Sequence, residues 1–304
     1  MVAVPTLTSV ARKSVCRAAG RVGTVAAVTQ HWSIGTIDVA RIDSSNFVLP
    51  APGATPQWAV PAFSPSVDEA SVAFSALVIR AGSVAMVVDP WIVDDSPRAR
   101  PDAAQVIDGL LAQLGELDVA AADIAFVVNT HIDGIGWNIR PDRRASDADW
   151  VPTFPNARYL FPADEMAAVD RGEPINGSEH LGPLHAAGLV DRVDTPFEVT
   201  PGVTLTAAPG HNFGHVAVRI EADDHLAIYP GHLVLSLAQV DQPDRDLGDT
   251  DCAVAAATRR AILGELADRR GVLLTTLIGG PGGGIVRSNG AGFTLDAGLQ
   301  PTSR

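Results

Sequence analysis

The chain has 304 residues, 46% hydrophobic and 19% charged, enough apolar material for a sizeable core, which excludes a largely disordered chain. Its formal net charge is −13, and an acidic surface repels phosphate backbones, so no nucleic-acid partner is expected. Cys16 and Cys252 stand alone in the sequence, which excludes a disulfide framework or a sulfur-ligated metal, and no apolar run reaches the ~18 residues of a membrane span.

The first 31 residues read as a disordered or loosely docked N-terminal extension. Arg12, Lys13, Arg17 and Arg21 are basic and the first acid is Asp38. A targeting segment is the alternative, but Val22 to Val28 is short and is interrupted by Gly23 and Thr24. A folded domain is expected over residues 32–304. Thr36 to Arg41 alternates as a strand, and Ala73 to Arg80 and Ser83 to Val88 form a hairpin about Ala81-Gly82. Pro50 to Pro65 reads as a surface loop or lid. Val106, Leu110, Leu111 and Leu114 fall at helical spacing within Ala103 to Leu114. Ile124 to Val128 is a short buried strand, Tyr159 to Phe161 another, and Ala163 to Val169 begins a helix. Val203 to Ala207, Val216 to Ile220, Leu226 to Tyr229 and Val272 to Ile278 are further strands, and Ala253 to Ala267 is a helix. His131, His211 and His232 each follow the end of a strand, where α/β proteins place their chemistry.

Three segments carry those histidines. They are Val127-Val-Asn-Thr-His-Ile-Asp-Gly-Ile-Gly-Trp-Asn138, Ala208-Pro-Gly-His-Asn-Phe-Gly-His215 and Tyr229-Pro-Gly-His-Leu-Val-Leu-Ser236. Their order and spacing resemble the metallo-β-lactamase superfamily, and within it the lactonase and organophosphate-hydrolase-like branch. The first segment is similar to the family's T-H-x-H-x-D-H-x-G-W-N, the second to its P-G-H-T-x-G-H, and the third to its G-D-x-x-H. Arg158 to Pro162 and the run from Asp251 to Arg260 also look like that branch. The resemblance spans about Trp32 to Asp296. It implies an α/β fold, a four-layer αββα sandwich, with two zinc-type ions activating water at a carbonyl or phosphoryl centre.

The residues depart from that pattern at four ligand positions. Asn129 replaces the first histidine, Gly134 the histidine after the aspartate, His232 the bridging aspartate and Leu277 the last histidine. His131, Asp133 and His211 match. Three histidines with one water are a legitimate zinc geometry, so a single ion on His131, His211 and His232 is the leading expectation. The catalytic candidates are Asp133, His131 and His232. His215 is expected to orient the loop, and Asp89 to serve as a structural carboxylate. Trp137 and Asn138 are expected to pack. His31, His180, His185 and His225 are expected on the surface or in loops. The glycine run from Gly279 to Gly284 is expected to widen the last ligand loop.

Three functions follow. The first is a hydrolase of an ester, lactone or related small molecule, working with one zinc ion. The second is a lyase, cyclase or isomerase without metal, using the His–Asp acid–base pair. The third is a non-catalytic protein that binds a small molecule. A cytoplasmic protein is expected; the sequence leaves the oligomeric state open, and the resemblance offers a homodimer, since relatives of that branch are often dimers.

Overall fold

The computed structural model describes residues 30–49, 70–90, 98, 102–132, 136–142, 149–278 and 282–296, with 44–49 and 70–73 described by backbone alone. Asp133 and Gly134, the Pro50 to Pro65 segment, Cys16 and the basic leader lie outside these residues. The first strand begins at Gln30, so Gln30 and His31 belong to the fold.

Sheet one is built from β1 (Gln30–Ile34), β2 (Ile37–Leu49), β3 (Ala70–Ala81), β4 (Val84–Val88), β5 (Ile124–Val128), β8 (Arg158–Pro162) and β9 (Val190–Val193), in that spatial order. A small two-stranded sheet pairs β6 (Ile139–Pro141) with β7 (Trp150–Pro152). Sheet two runs in chain order through β10 (Phe197–Thr200), β11 (Val203–Ala207), β12 (Val216–Ala222), β13 (His225–Tyr229), β14 (Val272–Leu274), β15 (Gly283–Ser288) and β16 (Phe293–Asp296). Among the described residues the α-helices are α1 (Ala103–Glu116), α2 (Ala163–Asp170), α3 (Gly182–Ala186), α4 (Leu237–Asp241) and α5 (Cys252–Arg269). None of the described helices is long and apolar enough to cross a membrane.

Period-two side-chain alternation explains the layering, because successive residues of a strand face opposite ways. On β3, Leu77 and Ile79 join the core between the sheets, while Ala76 and Val78 face the helices of sheet one. On β13, Ala227 and Tyr229 enter the inter-sheet core, while Leu226 and Ile228 pack with Ala255, Leu263 and Leu266 of α5. Strands buried on both faces read as continuous apolar runs, as Ile124 to Val128 does. The outcome is helices, sheet, sheet, helices, the expected four-layer order.

Several expectations change in detail. The sheet-two strand expected over Val272 to Ile278 stops at Leu274, although Thr275 N still bonds Gly282 O at 2.8 Å in the register of the β14–β15 ladder. Gly283 and Gly284, expected in a widened loop, instead pair in β15 with Leu274 and Leu273. A Cβ on Gly283 would meet Leu273 O at 2.7 Å, so the bare backbone is what lets the strands close. His180, expected near the surface, is buried in a short turn, and His31 lies in β1 opposite Ala40. His185 and His225 are exposed, as expected.

Strands β4 and β5 are parallel, so their C-terminal ends share one edge, and Asp89 and Asn129 emerge side by side there. Sheet two delivers the turns after β11 and β13 to the same edge, and Val216 N bonds Thr130 O at 2.9 Å between the two sheets. Buried Arg41 on β2 ties the region after β14 to this edge, donating to Asp43, Ser75 and Ile278 O. A fully buried guanidinium is tolerated only with such partners.

Candidate metal centre

His131, His211 and His232 converge. Each offers one ring nitrogen, and the three nitrogens lie within 4.8 Å of one another. Among the described residues this is the one group of histidine, cysteine and carboxylate side chains so gathered. His131 and His211 are buried and His232 is half-buried.

The hydrogen bonds assign the tautomers. Asp89 stands just past β4 at φ 44°, a conformation short polar residues tolerate. Burial pushes its carboxyl up to about 6, against hydrogen bonds from Thr130 and Tyr229 that favour the anion, so it is ionised at neutral pH. It accepts Thr130 N at 2.8 Å, Thr130 Oγ1 at 2.6 Å and Tyr229 Oη at 2.8 Å. With its only hydrogen given to Asp89, Thr130 Oγ1 accepts from His131 Nδ1 at 2.9 Å. His131 Nε2 is therefore bare and accepts from His232 Nδ1 at 3.0 Å. That leaves His232 Nε2 as a buried lone pair without a hydrogen-bond partner. His211 Nδ1 faces Asp249 Oδ1 at 3.5 Å, within ion-pair reach but longer than a hydrogen bond, and has no hydrogen-bond partner among the described residues.

Desolvation, reinforced by the neighbouring imidazoles, holds His131, His215 and His232 well below the usual histidine range. The rings are thus neutral donors of lone pairs near pH 7. For Asp249, burial pushes upward, but the hydrogen bond from Arg259 and the nearby His211 ring outweigh it and keep the carboxyl below its ordinary range.

This donor set fits one zinc-type ion. Neutral imidazoles are favoured ligands of zinc, and a tetrahedral ion with Zn–N of about 2.0–2.1 Å places its nitrogens about 3.3 Å apart. The ring nitrogens already lie within 4.8 Å of one another; an ion there would replace the His131–His232 hydrogen bond, and the orphaned His232 Nε2 gives a reason to bind one.

Asn129 is not part of the cluster. Its Oδ1 accepts from Asn138 Nδ2 at 2.6 Å and its Nδ2 reaches Leu160 O at 3.4 Å, so the carboxamide is committed to packing. Leu277 is a half-buried apolar residue with no donor atom. Trp137 and Asn138 are buried, as expected.

His215 supports the site from behind, its Nε2 accepting His232 N at 3.2 Å. Gly231 makes that possible. Its φ is +56°, and a Cβ there would lie 2.6 Å from both His215 Nε2 and Thr130 Oγ1. Glu165 of α2 accepts Ile132 N and so fixes the residue after His131. Thr130, Tyr229, Gly231, Glu165, Asp249 and Arg259 escaped the sequence reading. Arg259 alone had left a signal, as a charged residue on the buried face of α5 with Ala255, Leu263 and Leu266.

No protein-family model matches the sequence, and no curated protein matches it either. Solved structures do. AidC, described as a dizinc quorum-quenching lactonase, aligns over 91% of this chain and 98% of its own at 17% identity and a TM-score of 0.66. The hydrolase AbOPH of the beta lactamase superfamily aligns over 93% and 99% at 16% identity and a TM-score of 0.68. A probable metal-dependent hydrolase from Staphylococcus aureus aligns over 87% and 99% at 14% identity and a TM-score of 0.65. At these identities the likeness is one of fold, and the fold of this chain is that of the metallo-β-lactamase superfamily.

Proposed function

We propose that the chain is a hydrolase that opens an ester, lactone or related bond of a small molecule, using a single zinc-type ion held by His131, His211 and His232. The observation that carries this reading is the convergence of three imidazoles from three strand ends, with ligand nitrogens within 4.8 Å of one another. Similar structures described as a dizinc lactonase and a metal-dependent hydrolase support the reaction class. A bound divalent ion supplies Lewis acidity and lowers the pKa of water, the chemistry such a reaction needs.

The chain's own residues supply the rest. His131 is held through Thr130 by Asp89, and His232 through its backbone by His215. With histidine in place of the bridging aspartate, all three ligands are uncharged, so an ion keeps more of its positive charge than it would beside a carboxylate. Asp133 is the proposed carboxylate for proton transfer, and lies outside the described residues. The test is turnover of ester and lactone substrates before and after exhaustive chelation. The proposal expects loss of activity, recovery with zinc, and neither bound metal nor activity in His232→Ala. An active, metal-free His232→Ala variant would sink it.

One observation favours a second reading. The direct contact of His131 Nε2 with His232 Nδ1 at 3.0 Å is an acid–base pair that needs no metal. Activity that survives chelation undiminished would select a lyase, cyclase or isomerase of that kind.

A further inference from the structure

We infer that Asp249 is a positioning residue for His211, and that Arg259 holds both in place; this rests on the three-histidine reading above. Arg259 is an arginine fully buried on the core-facing side of α5. Such a charge is tolerated only when it is paired and hydrogen-bonded. Here Nε donates to Pro243 O at 2.7 Å, and one terminal nitrogen to Leu233 O at 3.0 Å. The other donates to Arg245 O at 3.3 Å and to Asp249 Oδ2 at 2.8 Å.

These partners are not scattered. Leu233 directly follows His232, and Pro243 and Arg245 lie on the path from there to Asp249. One guanidinium therefore anchors the segment behind His232 and delivers a carboxylate to His211. The Asp249 side chain is 1% exposed, with Oδ2 on Arg259 and Oδ1 facing His211 Nδ1 at 3.5 Å.

The backbone holds the same register. Asp246 Oδ1 accepts Gly248 N and Asp249 N, each at 2.9 Å. Thr250 N bonds His211 O at 3.0 Å and Asp251 N bonds Gly210 O at 2.9 Å, so the two segments run side by side. Gly210 has φ +127° and a Cβ there would lie 2.3 Å from Ala255 Cα, which seats the histidine loop directly on the first turn of α5.

A carboxylate opposite Nδ1 selects the imidazole tautomer with hydrogen on Nδ1. The lone pair of Nε2 is then free to face His131 and His232. The Arg259 charge keeps Asp249 an anion without a proton of its own. Asp89 does the same for His131 through Thr130, so two carboxylates back two of the three rings. Losing such a partner typically weakens metal binding about 10–100-fold.

The test is long-range proton–nitrogen NMR on the metal-free full chain labelled with 15N-histidine, with His211 assigned by its loss in His211→Gln. Wild type is expected to show hydrogen on Nδ1 of His211. Asp249→Ala is expected to shift His211 toward the Nε2–H form that free imidazole side chains prefer. Zinc affinity, measured by competition with a chelator, should fall about 10–100-fold in Asp249→Ala. Wild-type His211 protonated on Nε2 would overturn the inference, as would an unchanged tautomer in a folded Asp249→Ala. If Asp249→Ala does not fold, the wild-type tautomer decides alone. If wild type takes up no zinc, the single-ion reading fails while the NMR result still decides the role of Asp249.

Discussion

Asn129 is fixed by two buried partners, Asn138 and Leu160, and this sets what its replacement does. Asn129→Ala leaves Asn138 without that acceptor, at a cost of about 1–3 kcal/mol. Urea unfolding of the variant should show a loss of that size, with zinc stoichiometry unchanged; unchanged stability would show the bond contributes nothing. His131, His211 and His232 were legible because each stands in a short motif whose spacing survives. Asp249 was not, since nothing local marks it; its partners Arg259 and His211 meet it only in the folded chain. The replacement of aspartate by His232 was visible in the sequence, but its pairing with His131 was not. That pairing depends on which nitrogen of each ring carries hydrogen, and the network through Thr130 decides it.

At the scale of elements, the tight turn after β13 sets the site. Gly231 sits at φ +56° in the one-turn helix Gly231–Leu233, against His215 and Thr130. Gly231→Ala is expected to cost at least about 1–3 kcal/mol from backbone strain alone, and to displace His232 enough to weaken zinc binding. Calorimetry and zinc titration of the variant check both; wild-type behaviour in both would contradict the role given to this turn. The central strands and both long helices followed from apolar patterning, because β3, β5 and β13 are buried on two faces and α1 carries one apolar stripe. Strands β9, β10, β15 and β16 did not; β10 and β16 alternate, but over four residues each and with few fully buried positions, which is too short a pattern to stand out. Gly283-Gly284 reads locally as a loop and becomes strand only because β14 and β16 flank it.

For the whole molecule, the buried histidines make stability depend on pH. In the metal-free chain His131, His215 and His232 are held well below their ordinary range, while the unfolded chain protonates near pH 6.5. Their contribution is present above about pH 6.5 and is lost as pH falls, since unfolding takes up protons on these rings. Asp89 acts oppositely, because its folded-state value is raised to about 6 and unfolding releases its proton between there and about 4. His180, also lowered by burial, adds to the same uptake, so the histidines outnumber Asp89 and stability falls as pH drops through the range around 6. Urea midpoints of chelator-treated protein should therefore drop steeply from pH 7 to pH 5.5; a flat profile would contradict the neutral, buried cluster.

The central claim is that this four-layer sandwich holds one ion on three histidines where similar structures include a dizinc site. Elemental mass spectrometry of protein purified after growth with added zinc measures it directly. The account predicts one tightly held ion per chain in wild type and none in His211→Ala. Two ions per chain, or none under any condition, would contradict it.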